Sequence, residues 1–308
     1  MPDAEVLLLA LLVTYLPGLG LMAALRVRQR LIVVALAPAA SVGVAAATGV
    51  LTGLAGYPYG PGALGAVTAL LASIWVGRSV LSRRRAAAPP QPARRRGMAM
   101  QLAGVLMVLV GAGVGVGTWL DALHGLATIP QEHDMIVHAL QAAYIERTGH
   151  AAPWQLFPAD VLTGAPVAFY PSGIHLLIAA TGGLAGGTVE AINAVSVVIL
   201  AVVLSVGAAA LTAVAARQLR LSGATAALAA GIAALVAAGL YRPTFQLMHD
   251  GGILANAAAL AMTPGVLAGV LLLPRLPWRS AVAVGVAVAG VAWVHPSAVT
   301  LTEITALG

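Results

Sequence analysis

The sequence predicts an all-α, polytopic transmembrane bundle of about eight spans, with interfacial helices in one large outer loop. Three observations carry this. Of 308 residues, 60% are hydrophobic and 8% charged, and the mean hydropathy is +0.95. A soluble domain usually carries about 25% charged residues, so this chain lacks the charge to solvate a globule of its size. Apolar runs of membrane-spanning length recur along the chain, and the 16 basic residues, all arginine, sit in short clusters between them. Together these exclude a cytosolic enzyme and a disordered chain. The absence of cysteine excludes a disulfide scaffold and thiolate metal sites. A net charge of +6 and a pI near 10.5 would suit nucleic acid. Arginines confined between apolar runs form no solvated basic face, however, so the expected partners are membrane lipids and not nucleic acid.

Spans are expected at roughly 4–25, 31–55, 61–81, 98–119, 188–216, 223–241, 253–273 and 280–296. Each reaches across much or all of a hydrocarbon core of about 30 Å at about 1.5 Å per helical residue. The N-terminus carries Asp3 and Glu5 in place of a basic region, so it reads as a first span and not a cleaved signal peptide. The segment 172–185 is too short for an untilted crossing and runs into Gly182, Gly183, Gly186 and Gly187.

Charge decides how to treat that segment. If 172–185 does not cross, the inner loops hold 14 of the 16 arginines, leaving Arg147 and Arg242 outside with the acidic residues. If it crosses, Arg217, Arg220, Arg275 and Arg279 move outside. The positive-inside rule selects the first arrangement, with both termini extracytoplasmic and 172–185 an interfacial or re-entrant helix packed against protein. The chain then divides into a three-span unit (1–82), a basic, Pro-containing cytoplasmic linker (83–97) and a core (98–308). The core holds the outer loop 120–187 and the last four spans. Pro89, Pro90 and Pro92 forbid a helix in the linker. The localisation expected is the cell membrane.

Polar side chains gather in the outer segment 120–171, beside Trp119, Trp154, Phe157, Phe169 and Tyr170, aromatics that suit a membrane interface. Residues 132–148 read as an amphipathic helix, with Ile136, Val137, Leu140, Ala143, Tyr144 and Arg147 on a mixed apolar face and Gly149 as its stop. Asp134 and His138 stand at i and i+4, with Gln141 three residues on. A carboxylate beside an imidazole makes a general base with its orienting partner, supplies two ligands of a metal site, or is an idle surface pair. Glu132, His133, Glu146 and Arg147 read as solvated or capping charges. In FYPSGIH (Phe169–His175), Pro171 and Gly173 turn the chain into the short helix, Ser172 is a candidate N-cap, and His175 falls in the first turn. Arg242 suits bidentate phosphate contact or snorkelling to headgroups, and His249 precedes a turn at Asp250–Gly252. Asn193 reads as helix–helix glue. No P-loop, GxSxG, HExxH or kinase signature is present, and GVGVGT (113–118) is a span end with no strand before it.

The order Asp134-x3-His138, Thr148–Gly149 and Tyr170-Pro-Ser-Gly-Ile-His175 resembles a family of large actinobacterial multi-pass proteins, as do LPG at Leu16–Gly18 and the Ala37–Pro38 pair. That family is in turn similar to the GT-C superfamily of polyprenyl-phosphate-dependent glycosyltransferases. The resemblance implies a large outer loop with interfacial helices, a catalytic acidic residue, and a lipid-linked sugar entering from the membrane. It puts Asp134 in the catalytic position, His138 and His175 in the same pocket, and Arg242, Tyr170 and His249 on the substrate and its phosphate. A divalent metal cofactor is compatible with it but carried by no motif. GT-C enzymes usually have more spans, so the chain reads as the front half of a longer protein, with a partner subunit or a second half to complete it. A transporter or flippase, or a structural subunit of an envelope complex, are the alternative functions.

Overall fold

The computed structural model describes residues 1–83, 97–156, 170–240 and 245–297. The readings that fall on Arg242, Phe157, Asp160, Phe169 and linker residues 84–96 lie outside them. The described chain folds into α1 (Asp3–Ala24), α2 (Arg30–Ala55), α3 (Pro61–Arg83), α4 (Met98–Leu123), α5 (His133–Thr148), α6 (Gly173–Ala185), α7 (Thr188–Val197), α8 (Leu204–Gln218), α9 (Gly223–Ala238), α10 (Gln246–His249), α11 (Leu254–Val270) and α12 (Trp278–Val294). A π-type turn at Val198–Val203 joins α7 to α8 without a break. Among the described residues there is no strand.

Six helices are long and apolar enough to cross a membrane: α1, α2, α3, α4, the continuous α7–α8 rod, and α11 with the turn after it. The shorter α9 and α12 accompany them. α9 runs parallel to α4, with Gly104 against Ala227 and Gly111 against Ala234. α12 crosses α2, with Gly290 against Ala39. One core cluster runs from Val6 in α1 to Val294 in α12, so the first three helices share their interior with the rest.

Backbone approach sets the crossings. A Cβ on Gly18 would collide with the Ala37 carbonyl, so the LPG motif of α1 docks directly on the Ala–Pro pair of α2. Pro17 lies inside α1 and disturbs the hydrogen-bond ladder there. The Gly18 N–H donates to Ser41 Oγ at 2.8 Å, so a hydroxyl from α2 takes up the donor next to the proline.

The ends of the bundle differ in charge. Every described arginine except Arg147 sits in or beside the turns that follow α1, α3, α8 and α11 or precede α2 and α12. Contacts tie these turns together: Arg26 donates to the Arg78 carbonyl, and residues 25–29 face residues 276–280 across a cleft. The described acidic residues lie at the opposite end, where Asp3 accepts from Leu126 N–H and Trp119 stacks on Phe245 at 4.4 Å.

α6 does not traverse the bundle. Thirteen residues extend about 20 Å, against a core of about 30 Å. Gly173 lies against Val42, midway along α2, whereas Gly182 and Gly183 reach Glu146 and Pro61 at the acidic end. The helix therefore rises from mid-depth to the acidic face. It is buried from Gly173 to Gly182, which makes it a re-entrant element and not one lying on the interface.

Two outcomes test this architecture. A cysteine at exposed Gln131 should react with an impermeant maleimide on intact cells, and one at exposed Leu219 should react only after permeabilisation; the reverse pattern would invert the bundle. Gly104→Val should destabilise the protein by about 1–3 kcal/mol through overpacking against α9. Gly113→Val, on the same helix with open space at its Cβ position, should shift the thermal unfolding midpoint in detergent far less.

Candidate functional site

The side chains that could do chemistry depend on how α5 is mounted. Its first turn is held by the Asp134 N–H, which donates to the Gly251 carbonyl at 2.9 Å. Its end is held by Gly149, whose carbonyl accepts from Tyr59 N–H at 2.8 Å. Gly149 has a φ of +69° and packs where a Cβ would strike Pro58, so both conformation and space demand glycine there.

An amphipathic helix lying on the outer leaflet is expected to aim Asp134 and His138 toward a shared cavity, and His138 does turn inward, with Asp134 half-exposed. The buried stripe of α5 is Met135, His138, Gln141, Ala142 and Ile145, while Ile136 and Leu140 are exposed. In a lipid setting apolar residues lose nothing by facing outward, and polar ones gain by turning toward internal partners.

Turned inward, His138 meets His175: His138 Nδ1 lies 2.9 Å from His175 Nε2, with the rings 5.1 Å apart. The two are 4% and 0% exposed. α6 delivers His175 because it is anchored at several points. Tyr59 Oη donates to the Leu176 carbonyl at 3.1 Å, and Trp293 Nε1 donates to Ser172 Oγ at 3.3 Å. Ser172 occupies the N-cap position, yet its hydroxyl makes no cap hydrogen bond because it is turned to Trp293. Burial lowers the His138 pKa to about 4, with the Asp134 carboxylate pulling the other way. Burial also lowers His175 well below the usual histidine value; the His138 charge acts in the same direction and the Ser172 main chain opposes them. Both rings are therefore neutral near pH 7, and a single proton lies between the facing nitrogens.

Asp134, one helical turn before His138, is half-exposed. Its side chain is 46% exposed, and Oδ1 is 2.8 Å from His133 Nδ1. Its charge reaches both His138 and Tyr170. Tyr170 packs edge-on to His175 at 5.7 Å, and its phenol is raised above the usual value by burial first and by Asp134 second. Gln141 is 1% exposed, and its Nε2 has no hydrogen-bond partner among the described residues. Asp134, His138, Tyr170 and His175 thus form one group, stepping from half-exposed carboxylate to buried imidazole.

The other candidates lie elsewhere. Exposed His249 borders a cavity of about 570 Å³ at the acidic end, with Trp119, Glu132, Met135 and Asn193 on its wall. Neither Asp134 nor His138 lines it. Glu146, read as a solvated charge, instead accepts from Thr188 Oγ1 at 2.8 Å and abuts Gly182, clamping the turn between α6 and α7. Asn193 donates to the Leu126 and Thr128 carbonyls, both at 2.8 Å, so it holds the α4–α5 connection and not a second helix. Nothing in the local sequence distinguishes Glu146 or Tyr59 as clamps, because their partners are distant in the chain. Among the described residues, no three His, Asp or Glu side chains converge as metal ligands.

A family model described as a family of unknown function (DUF6541) matches residues 11–307, and the chain belongs to that family. No curated protein and no solved structure matches it.

The buried pair makes stability depend on pH. The unfolded chain takes up a proton at His138 near pH 6.5, whereas the folded chain does so only near pH 4. This contribution is complete above about pH 6.5 and is lost as pH falls toward about 4, by roughly 3 kcal/mol at most. The unfolding midpoint in detergent should fall across that window, and His138→Gln should flatten the fall.

Proposed function

We propose that this DUF6541 member is an integral-membrane transferase of the GT-C kind, acting at its acidic, extracytoplasmic end on a polyprenyl-phosphate-linked sugar. The observation that carries the reading is the graded polar group in an otherwise apolar body. A half-exposed carboxylate, Asp134, lies beside a buried neutral histidine pair. Asp134 takes the proton of an acceptor hydroxyl as the acceptor oxygen bonds to the sugar C1. The C1–O bond to the phosphate breaks, and polyprenyl phosphate leaves. His138 and His175 touch no exposed surface, so they act as positioning residues that hold α5 and α6 in register beneath the carboxylate. An apolar groove of about 620 Å³ between α1 and α3, floored by Ala180 and Leu184 of α6, offers a path for a lipid chain on the helix that carries His175.

The burial of the histidine pair, with His175 on a re-entrant helix, supports a second reading, a proton-coupled transporter, because ionisable groups buried inside a membrane bundle mark proton paths. The two readings differ in which residue is indispensable.

Membranes containing the protein, given a radiolabelled polyprenyl-phosphate hexose and a panel of hydroxyl acceptors, should transfer label. Asp134→Asn should lower the rate at least about 100-fold, the usual worth of a general base, with an unchanged unfolding midpoint, and His124→Ala should lower it little. Equal rates for Asp134→Asn and the unaltered protein would sink the transferase reading. Proton-driven flux abolished by His175→Gln but not by Asp134→Asn would establish the transporter.

A further inference from the structure

At the arginine-rich end, far from the histidine pair, the turn between α1 and α2 faces the turn between α11 and α12 across a cleft of about 410 Å³. Arg26, Arg28 and Arg279 line it, with Gln29, Trp278 and Ser280. Arg26 and Arg279 are half-buried and Arg28 is exposed. The only ion pair among the described residues is His133–Asp134, at the other end of the molecule, so no described carboxylate neutralises these three guanidinium groups.

Two further features point the same way. α2 and α12 both begin at this cleft, from Gln29 and Pro277, and neither start has a side-chain cap or an acidic residue in its first turn. Each contributes free N–H groups and the positive end of its dipole. Arg26 also holds a φ of +59°, a left-handed conformation that costs a non-glycine residue free energy. Its guanidinium donates to the Arg78 carbonyl, which leaves other donors of the five-donor fork for a ligand.

A topology signal needs only arginines near span ends. It does not need three of them walled into a cleft on which two uncapped helix starts converge. Arg279 lies over the exposed Trp278 ring at 5.3 Å, and a tryptophan at this level is the usual anchor at the headgroup layer. Leu25, Val27 and Leu276 give the cleft an apolar wall beside its charged one. We propose that this cleft binds the phosphate headgroup of an anionic phospholipid of the adjoining leaflet, held by Arg26, Arg28 and Arg279 and by the starts of α2 and α12. The occupant is taken to be a lipid because the cleft opens at the membrane level set by Trp278 and combines cationic and apolar walls. The site is independent of the transferase reading.

Trp278 is the reporter. The full-length protein is placed in phosphatidylcholine nanodiscs containing phosphatidylglycerol brominated on its acyl chains, and quenching is read as the difference between the protein and Trp278→Phe. Brominated phosphatidylglycerol should quench at a several-fold lower mole fraction than brominated phosphatidylcholine. The triple variant Arg26→Gln, Arg28→Gln, Arg279→Gln should erase this preference, a change of about fivefold or more. Arg217→Gln with Arg220→Gln, which removes charge from the same end, should preserve it. Arg279→Lys, which leaves the topology signal intact, should weaken it, because a point charge cannot grip phosphate in two places. That single variant decides the matter if the triple variant misfolds. Equal quenching by the two lipids, or equal loss in the control pair, would overturn the site in favour of a diffuse surface field. Thermal stabilisation by soluble glycerol phosphate without preference for the anionic lipid would assign the cleft to free phosphate and equally defeat the proposal.

Discussion

Close approach of helix backbones is the constraint on which the rest of this structure depends. Lipid is as apolar as leucine, so helices in a membrane gain little from hiding greasy side chains against each other. What remains is contact distance, and glycine sets it here. Gly18 against Ala37, Gly104 against Ala227, Gly290 against Ala39 and Gly265 against Ala35 each bring one helix onto the carbonyls of another, with no room for a Cβ. The crossings at Gly18, Gly265 and Gly290 place α2 at the centre, between α1, α11 and α12. α2 in turn provides the surface, at Val42, Gly49 and Gly53, on which the start of α6 and the chain after α5 are seated.

The same environment governs the polar residues. Several buried hydroxyls turn back on their own helices: Thr48, Thr181, Ser196 and Thr263 each donate to the carbonyl four residues earlier. Side chains that cannot do this seek one another. His138 finds His175, Tyr59 finds the Leu176 carbonyl, and Asn193 finds two carbonyls of the α4–α5 connection. α5 and α6 are thus placed by a few polar contacts from distant parts of the chain, whereas the spans are placed by many apolar ones. A helix so mounted has a defined inner face, and on α5 that face carries His138 and Gln141.

Charge gives the bundle its polarity. Except for Arg147, the described arginines lie at one end and the described carboxylates at the other, and the only ion pair among the described residues is between neighbours in sequence. The arginines of the basic end therefore have no described carboxylate partner. At the acidic end a carboxylate lies beside a neutral imidazole pair, and at the basic end arginines line a cleft at two helix starts.

Composition and spacing determined the class, the apolar helices and the sorting of charge by themselves, because hydropathy over about 20 residues and arginine position are local properties. The helix at α5, its stop at Gly149 and the non-crossing character of α6 were legible for the same reason: each follows from a short run of residues. Three matters were settled only by tertiary contact. How deeply the inner face of α5 is covered depends on what surrounds it: spacing directs His138 toward the interior, and docking buries it while leaving Ile136 and Leu140 exposed. The re-entrant path of α6 depends on Val42, Pro61 and Glu146, which lie far from it in the chain. The resemblance put His138 and His175 in one pocket, but their direct contact across 37 positions, like the clamp roles of Tyr59 and Glu146, is seen only in the fold. No periodicity encodes such pairings, because they exist only once separate helices have docked.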